Sequence, residues 1–231
     1  MYDVYAERSP NVYKVTICLA ELRAEWRDIW LNVTTGEQHK PEFRRLSPNS
    51  RIPVLVDHAP IDGGEPQVVW ESGAILLYLG EKTGQFLPSA PRDRVETLKW
   101  LFWQMAGLGP MSGQNAHFAQ YDTLIAECDY AKKRYHQETL RLYGVLDTRL
   151  SGKDWIAGEY SIADMACYPW VRIHAFLGHN LAGLDNLTAW RDRMAARPAV
   201  VEAYRRMDEL PASTATLEER FIAMSPEKGM H

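Results

Sequence analysis

Ser9, Pro10 and Asn11 follow a short strand-like run and open a helical pattern. Serine suits the N-cap of a helix, and proline suits the first helical position. A helix N-terminus presents free N–H groups and a partial positive charge, so it attracts anions. The neighbouring sequence contains no cysteine, and no histidine that would activate Ser9. The turn is therefore suited to binding an anion. The residues around it do not identify which group would react there.

A second candidate lies at Arg51, Ile52 and Pro53, directly before the strand-like run Val54–Asp57. Proline has no N–H to donate to a sheet ladder, and it favours an extended conformation for the residue before it. If the Ile52–Pro53 bond is cis, the backbone of Ile52 turns outward at a sheet edge and is able to pair with a peptide as an added strand. A trans proline that begins an edge strand is the alternative.

A third candidate, Glu71 and Ser72, joins a strand-like run to a helix pattern over residues 72–83 that is apolar almost all round. At the start of a helix, Ser72 offers a hydroxyl and an N–H to a carboxylate. Glu71 adds a negative charge, so the pair suits the zwitterionic head group of an amino acid. An N-cap serine beside a solvated glutamate is the alternative. Together with Ile52, the pair points to a small peptide ligand.

The elements that must position these residues alternate in the order β-α-β-α-β-β-α over residues 1–84. The first crossover predicts a parallel pair of strands, and the last two strands form a hairpin around Asp62-Gly63-Gly64. A mixed four-stranded sheet covered by helices results. The strands are predicted at Asp3–Tyr5, Trp26–Val33, Val54–Asp57 and Gln67–Trp70.

Strand signals stop after a linker at residues 85–91, and residues 92–231 are predicted to form a bundle of roughly five helices. Glycines 107, 109 and 113, with Pro110, are expected to bend or interrupt the chain there. The tail after Pro211 has weak periodicity and is expected to wrap the surface or fray. The predicted helices are Arg92–Met105, Asp129–Leu150, Ile162–Phe176, Thr188–Ala196 and Ala199–Leu210.

The amino-acid composition of the chain limits the classes of function that it can have. The chain of 231 residues is 46% hydrophobic and 24% charged, as in a soluble globular protein, and its net charge of −4 argues against nucleic acid or an acidic membrane as partner. It shows no secretory signal and no apolar run long enough to span a membrane. Three widely spaced cysteines, Cys18, Cys128 and Cys167, favour a reducing cytosol and buried positions. The seven histidines lack metal-ligand spacing, so no metal is expected.

Several motifs resemble the glutathione transferase superfamily. The segments SRIPVLVD and VVWESGAILLYLGEKTG resemble its glutathione-site signature, and YSIADMACYPW resembles its C-terminal capping-box motif, in which Ser161 and Asp164 cap a buried helix. The resemblance implies a thioredoxin-like α/β domain followed by an all-α domain, which is the glutathione transferase fold. Four segments, DGGEP, ESGAILLYL, LKWLFWQMAGLGPMSGQNAHF and KRYHQETLRLYGVLD, narrow it to the bacterial nu class, chiefly glutathione-dependent disulfide-bond reductases.

The nu-class resemblance supplies the missing reacting group, because glutathione carries its own thiol. Ser9 and Asn11 would hold the glutathione sulfur as the thiolate, by charge-assisted hydrogen bonds. The resemblance covers the chain to about residue 205 and is weaker in the loop Ala119–Cys128 and beyond Pro211. The other residues that it implies for glutathione binding are Gln38 and Arg51 at the glycine end, Ile52 and the cis proline Pro53 at the cysteinyl unit, Glu71 and Ser72 at the γ-glutamyl head, and Arg134 at a second glutathionyl carboxylate.

Two other functions remain open from the sequence. The same thiolate would attack an electrophilic carbon in a conjugating transferase, a class that often uses a tyrosine at the end of the first strand, here Tyr5. Some proteins of this fold are regulatory modules without enzymatic activity. Cys18 is the only cysteine near the turn in sequence, and it is expected to be packed. The resemblance also implies a homodimer.

Overall fold

The computed structural model describes residues 1–125 and 127–224 and contains two compact units. The first unit comprises residues 1–78 together with the chain from Glu202 onward, and the second comprises Leu79–Val201. The sequence predicts a first domain over residues 1–84 and a second over residues 92–231, with a linker between them, and these boundaries remain a prediction. Residues 225–231 of the predicted helical domain lie outside the described residues.

The first unit contains the predicted mixed sheet of four strands, β1 to β4, in the spatial order β2-β1-β3-β4. β1 pairs parallel with β2 and antiparallel with β3, and β3 pairs antiparallel with β4. The order makes β3 an interior strand, so the expectation that Pro53 lies at a sheet edge is wrong. The strands are β1 Tyr2–Ala6, β2 Trp26–Trp30, β3 Val54–Asp57 and β4 Gln67–Trp70.

Three helices accompany the sheet: α1 Pro10–Glu21, α2 Pro41–Leu46 and α3 Ser72–Thr83. Gly84, at φ +67°, ends α3 as its sequence predicts, because glycine adopts positive φ at little cost. β2 ends three residues earlier than predicted. Asn32 accepts the N–H of Thr34 at 3.2 Å and starts the 3-10 turn Val33–Thr35, so the chain leaves the sheet there.

The second unit is helical, with α4 Pro91–Trp103, α5 Gly109–Gln120, α6 Asp129–Leu150, α7 Ile162–Arg172 and α8 Asp185–Ala195. The expected interruption is a π-helical turn, Gln104–Leu108, after which the helix resumes as α5, a helix the sequence pattern missed. Pro110 is compatible with α5 because it lies in the first turn, where an N–H has no partner within the helix. An added Cβ at Gly109 would meet Gln104 Nε2 at 2.7 Å, so a larger residue there would require the Gln104 side chain to shift.

The predicted capping box of α7 is present. Asp164 is fully buried and accepts N–H groups from Ser161 at 3.1 Å, Ile156 at 3.0 Å and the Trp190 indole at 2.9 Å. Burial raises the pKa of the Asp164 carboxyl to about 6, and these donors act against that rise. The carboxyl group therefore ties the start of α7 to α8 and to the preceding loop.

Two further helices, α9 Pro198–Asp208 and α10 Leu217–Met224, complete the described chain. The sequence interpretation gave no helix beyond Pro211, and α10 corrects it. Glu219 Oε2 accepts the N–H of Thr216 at 2.8 Å, and Thr216 Oγ1 accepts the N–H of Glu219 at 3.2 Å. This reciprocal pair is a capping box, so the spacing Thr-x-x-Glu was the overlooked helix signal. None of the helices in the described ranges is long and apolar enough to cross a membrane.

Candidate functional site

The predicted site segments of the first unit all lie at the same end of the sheet. Tyr5 of β1 is opposite Val54 of β3, which is opposite Trp70 of β4. The turn that follows β1, the residues before β3 and the residues after β4 therefore emerge at the same end. β2 runs parallel to β1, with Ala6 opposite Trp30, so the loop that carries Gln38 also leaves from this end. The topology thus brings together sequence segments that lie up to 60 residues apart.

The Ser9 turn has the predicted local structure. Ser9 is extended, at φ −146° and ψ 140°, and its Oγ accepts the N–H of Asn11 at 3.4 Å, while Pro10 begins α1. Ser9 and Asn11 are both half-buried. The turn therefore presents a hydroxyl, a side-chain amide and the N-terminus of a twelve-residue helix. These groups favour an anion over a neutral group.

Ile52 and Pro53 directly precede interior strand β3, and the bond between them is cis. Ile52 is half-buried and Arg51 is exposed. Ser47 fixes the segment, because its Oγ donates to the carbonyl of Arg51 at 3.0 Å and accepts the N–H of Arg51 at 3.3 Å. A peptide that pairs with Ile52 would therefore lie beyond the end of β3 and not along an edge strand.

α3 covers residues 72–83 and starts at Ser72, as predicted, so the alternative of an N-cap serine is wrong. The carbonyl of Glu71 accepts the N–H of Ile75 at 2.9 Å, so Glu71 occupies the cap position and Ser72 is the first helical residue. Glu71 has a φ of +69°, which is uncommon for a residue with a side chain and is often found at functional sites. Its carboxylate is exposed and accepts the Asn49 amide at 3.4 Å.

Lys14 is a member of this site that the sequence interpretation missed. Its side chain is 1% exposed, and its Nζ donates to Ser72 Oγ at 3.3 Å. A serine hydroxyl that accepts a hydrogen bond in this way can still donate its own hydrogen to a second acceptor. The available signal was a lysine between Val12 and Val15, on the apolar side of α1. Buried lysines are rare unless they have a defined partner.

We expect Lys14→Met to weaken glutathione binding about threefold to tenfold without lowering the free energy of unfolding. Methionine keeps the length of the side chain, and the removal of a buried charge offsets the lost hydrogen bond. Calorimetric titration with glutathione and thermal unfolding measure the two effects. Lys99→Met, at an exposed lysine of α4, is the matched control. Unchanged affinity in Lys14→Met would show that Lys14 does not orient Ser72 toward the ligand.

Gln38 is 3% exposed, with its Nε2 3.3 Å from the Nε2 of His39. Its Oε1 has no hydrogen-bond partner among the residues that the structure describes. A buried acceptor without a partner is costly, which fits an atom that meets a donor of the ligand. Arg134 is exposed on α6, in the second unit, so its role at the site remains a prediction.

The two alternative reactive groups differ in their surroundings. Cys18 lies in the interior side of α1 and is fully buried, and burial raises the pKa of its thiol. A buried thiol with a raised pKa is a poor nucleophile, so Cys18 has a packing role. Cys128 and Cys167 are also free and buried, as predicted. Tyr5 is half-buried, and its ring packs on Phe43 with centroids 5.7 Å apart.

In the described part of the chain, no three histidine, cysteine, aspartate or glutamate side chains come together as metal ligands would. The site offers helix N-termini, hydroxyl and amide groups and the Glu71 carboxylate. These groups match the backbone, head group and anionic end of a short peptide.

Comparison with known proteins gives the site its family. Residues 8–82 match the glutathione S-transferase N-terminal domain, and residues 116–198 match the C-terminal domain. The disulfide-bond oxidoreductase YfcG of Escherichia coli is 49% identical over 206 residues, which cover 88% of this chain and 94% of YfcG.

Two crystal structures of bacterial glutathione transferases have the same fold. One, from Pseudomonas fluorescens with two glutathione bound, has a TM-score of 0.82 at 37% identity and covers 87% of this chain and 91% of its own. The other, from Pseudomonas putida, contains one glutathione disulfide per subunit. It has a TM-score of 0.83 at 36% identity, and the match covers 91% of this chain and 92% of the Pseudomonas putida chain. The chain therefore belongs to the glutathione S-transferase family.

Proposed function

We propose that the protein is a glutathione-dependent disulfide-bond reductase that uses the thiolate of bound glutathione as its nucleophile. The observation that carries the proposal is the convergence of the Ser9 turn, Ile52 and the Glu71-Ser72 junction at one end of the sheet. The similarity to a disulfide-bond oxidoreductase, and to structures that contain glutathione or its disulfide, supports the same activity.

The spacing of the strands suits a tripeptide. Neighbouring strands lie about 4.8 Å apart, so β1, β3 and β4 together span about 10 Å, which is close to the length of three extended residues. The cysteinyl unit would pair with the backbone of Ile52 before β3. The γ-glutamyl head would reach Glu71 and Ser72 after β4, and the sulfur would reach the Ser9 turn after β1.

Each end of the peptide has a matching group. The α-amino group of the γ-glutamyl head would face the Glu71 carboxylate, and its α-carboxylate would accept the Ser72 hydroxyl and N–H groups of α3. At the glycine end, the N–H of the glycine unit would donate to Gln38 Oε1, and the glycine carboxylate would accept from the Arg51 guanidinium. Arg134 would hold a carboxylate of the second glutathionyl unit when glutathione disulfide is in the site.

The Ser9 turn would favour the ionised sulfur. A free thiol has a pKa near 8.5, and each charge-assisted hydrogen bond to the thiolate contributes about 1.5–3 kcal/mol. Donors on Ser9, on Asn11 and at the N-terminus of α1 would therefore lower the thiol pKa by one or two units, at about 1.4 kcal/mol per unit. At pH 7 the thiolate fraction of bound glutathione would then rise from about 3% to between about 25% and 75%.

The reaction is thiol–disulfide exchange. The thiolate attacks one sulfur of the substrate disulfide, a new sulfur–sulfur bond forms to glutathione, and the other sulfur leaves as a thiolate that takes up a proton. A second glutathione thiolate then attacks the mixed disulfide, which releases the reduced substrate and leaves glutathione disulfide. Two glutathione molecules are oxidised for each disulfide reduced, and the chain itself supplies only binding, orientation and charge stabilisation.

A comparison of two substrates tests this activity. With glutathione as reductant, turnover of a small disulfide such as 2-hydroxyethyl disulfide should exceed turnover of a standard aromatic electrophile by at least about tenfold in kcat/KM. The uncatalysed exchange at the same pH is the blank. The opposite ranking would assign the protein to conjugating chemistry, and an absence of glutathione binding at millimolar concentration would point to a regulatory module.

A homodimer in a reducing cytosol belongs to the same proposal. On α4, Val95 is 57% exposed and Phe102 is 62% exposed, seven residues apart on one face, which is the kind of apolar patch that a second subunit covers. The free state of all three described cysteines suits a reducing compartment. Light scattering during size-exclusion chromatography measures the mass, which should be twice 26.4 kDa for a dimer.

A further inference from the structure

The Ser9 carbonyl accepts the N–H groups of Val12 at 3.0 Å and Tyr13 at 3.1 Å, but the Ser9 side chain caps the helix through a long hydrogen bond. The Ser9 Oγ to Asn11 N distance of 3.4 Å is at the long limit for a hydrogen bond. Only Glu7, Arg8 and Ser9 connect the end of β1 to the start of α1. Precise placement of donors around a thiolate requires a rigid turn, because electrostatic stabilisation depends on groups that are already oriented. The contacts of Glu7 and Arg8 therefore decide how well the turn is fixed.

Arg8 connects the turn to the end of α9. Its Nε donates to the carbonyl of Met207 at 3.1 Å, and its Nη2 donates to the carbonyls of Asp208 at 2.9 Å and Leu210 at 3.1 Å. The last carbonyls of a helix lack partners within the helix and carry a partial negative charge. A guanidinium group, with its fixed fork of donors, satisfies several of them at once. Arg8 thus acts as a C-terminal cap for a helix about 200 residues away in sequence.

Tyr13, which follows the turn on α1, contacts the same C-terminal segment, residues 202–224. Its ring stacks on Tyr204 of α9, with centroids 3.9 Å apart and planes 13° apart. The Glu7 carboxylate, before the turn, accepts the N–H of Val33 at 2.9 Å. Through Arg8 and Tyr13, the turn is therefore bounded on both sides in sequence by contacts to one segment.

The C-terminal segment is itself fixed to the first unit by other groups. Arg206 donates to Asp28 at 2.9 Å and to the carbonyl of Trp26 at 3.1 Å, and its guanidinium lies 3.9 Å from the centroid of the Trp26 ring. Thr34 and Ser213 share a hydrogen bond between their hydroxyl groups. The segment is thus anchored on β2 and on the loop after it, and it can serve as a fixed support for Arg8.

We propose that Arg8 is a positioning residue for the bound glutathione thiolate, because it fixes the Ser9–Asn11 turn against the C-terminal segment. This inference rests on the proposed function. It gives residues 202–224, most of which follow the part of the chain that the nu-class resemblance covers, a role in the glutathione site. Arg8 acts through the turn and need not touch the peptide, so its loss should change the state of the sulfur more than the affinity for glutathione.

The test compares Arg8→Gln and Arg8→Lys with the wild type. Thiolate absorbance during a pH titration gives the pKa of bound glutathione, and steady-state kinetics give kcat and KM. In Arg8→Gln we expect the thiol pKa to rise by about half a unit and kcat at neutral pH to fall about threefold, with KM nearly unchanged. Arg8→Lys should be intermediate, since an ammonium group keeps the charge but cannot reproduce the fork of donors.

Arg205→Gln is the matched control, because Arg205 also lies on α9 but pairs with Glu202 of that helix and with Glu209 directly after its end. It should behave as the wild type does. An Arg8→Gln protein with the wild-type thiol pKa and kcat would overturn the inference alone. An Arg8→Lys protein with the wild-type thiol pKa and kcat would also overturn the inference. The positive charge at residue 8, and not the position of the guanidinium donors, would then be responsible for the effect on the thiolate. A wild-type protein that binds no glutathione as thiolate would overturn the proposed function as well.

Discussion

Replacement of Asn11 with alanine is expected to lower kcat/KM for glutathione-dependent disulfide reduction by about 10- to 100-fold. The amide of Asn11 is the side-chain donor within the first turn of α1, beside the cap residue Ser9. Loss of one charge-assisted hydrogen bond to the thiolate costs about 1.5–3 kcal/mol and raises the thiol pKa toward that of free glutathione. The pH profile of kcat/KM should therefore shift to higher pH.

Tyr5→Phe is the matched variant, because it removes a hydroxyl from the end of β1 and keeps the ring that packs on Phe43. We expect its kcat/KM for disulfide reduction to stay within about twofold of the wild type. Both variants should retain the wild-type unfolding temperature. A large loss in Tyr5→Phe together with normal activity in Asn11→Ala would identify Tyr5 as the residue that stabilises the thiolate.

Replacement of Asp164 with alanine should have the largest effect on stability, about 3–5 kcal/mol. Asp164 is fully buried, and its removal leaves the N–H groups of Ser161, Ile156 and Trp190 without an acceptor. Each buried donor that loses its partner costs about 1–3 kcal/mol. For a chain of this size the loss corresponds to a fall of about 8–15 °C in Tm.

Glu159→Ala tests whether the effect belongs to the buried carboxyl group. Glu159 is exposed and lies five residues earlier on the same connection, so its replacement should change Tm by less than about 2 °C. Calorimetry on both variants gives the comparison. A similar, small change in the two proteins would mean that the capping box of α7 contributes little and that apolar packing alone holds this helix.

The sequence predicted the fold where local signals and packing agreed. The cap at Ser9, the stop at Gly84 and the capping box at Ser161 each match the structure, because the side chain or its absence decides the local backbone. α5 was missed because its first turn contains two residues, Gly109 and Pro110, that usually end helices. The π-helical turn before it and the Gln104 side chain that packs close to Gly109 are both features of the folded chain, and no local pattern gives them.

The site was predictable in its segments and less so in its geometry. The motifs identified the Ser9 turn, Ile52 and the Glu71-Ser72 junction, but the position of Ile52 relative to the sheet depends on strand order, which no local pattern gives. The buried position of Lys14 and the contacts of Arg8 with α9 depend on packing between segments that are far apart in sequence. Such contacts arise only when the fold is assembled.

A crystal structure of the complex with glutathione tests the central claim most directly. The account predicts the glutathione sulfur within hydrogen-bonding distance of Ser9 Oγ or the Asn11 amide, about 3.3 Å, with the cysteinyl backbone on Ile52 and the γ-glutamyl carboxylate on Ser72. A sulfur that lies against the Tyr5 hydroxyl, or an empty site at saturating glutathione, would contradict it.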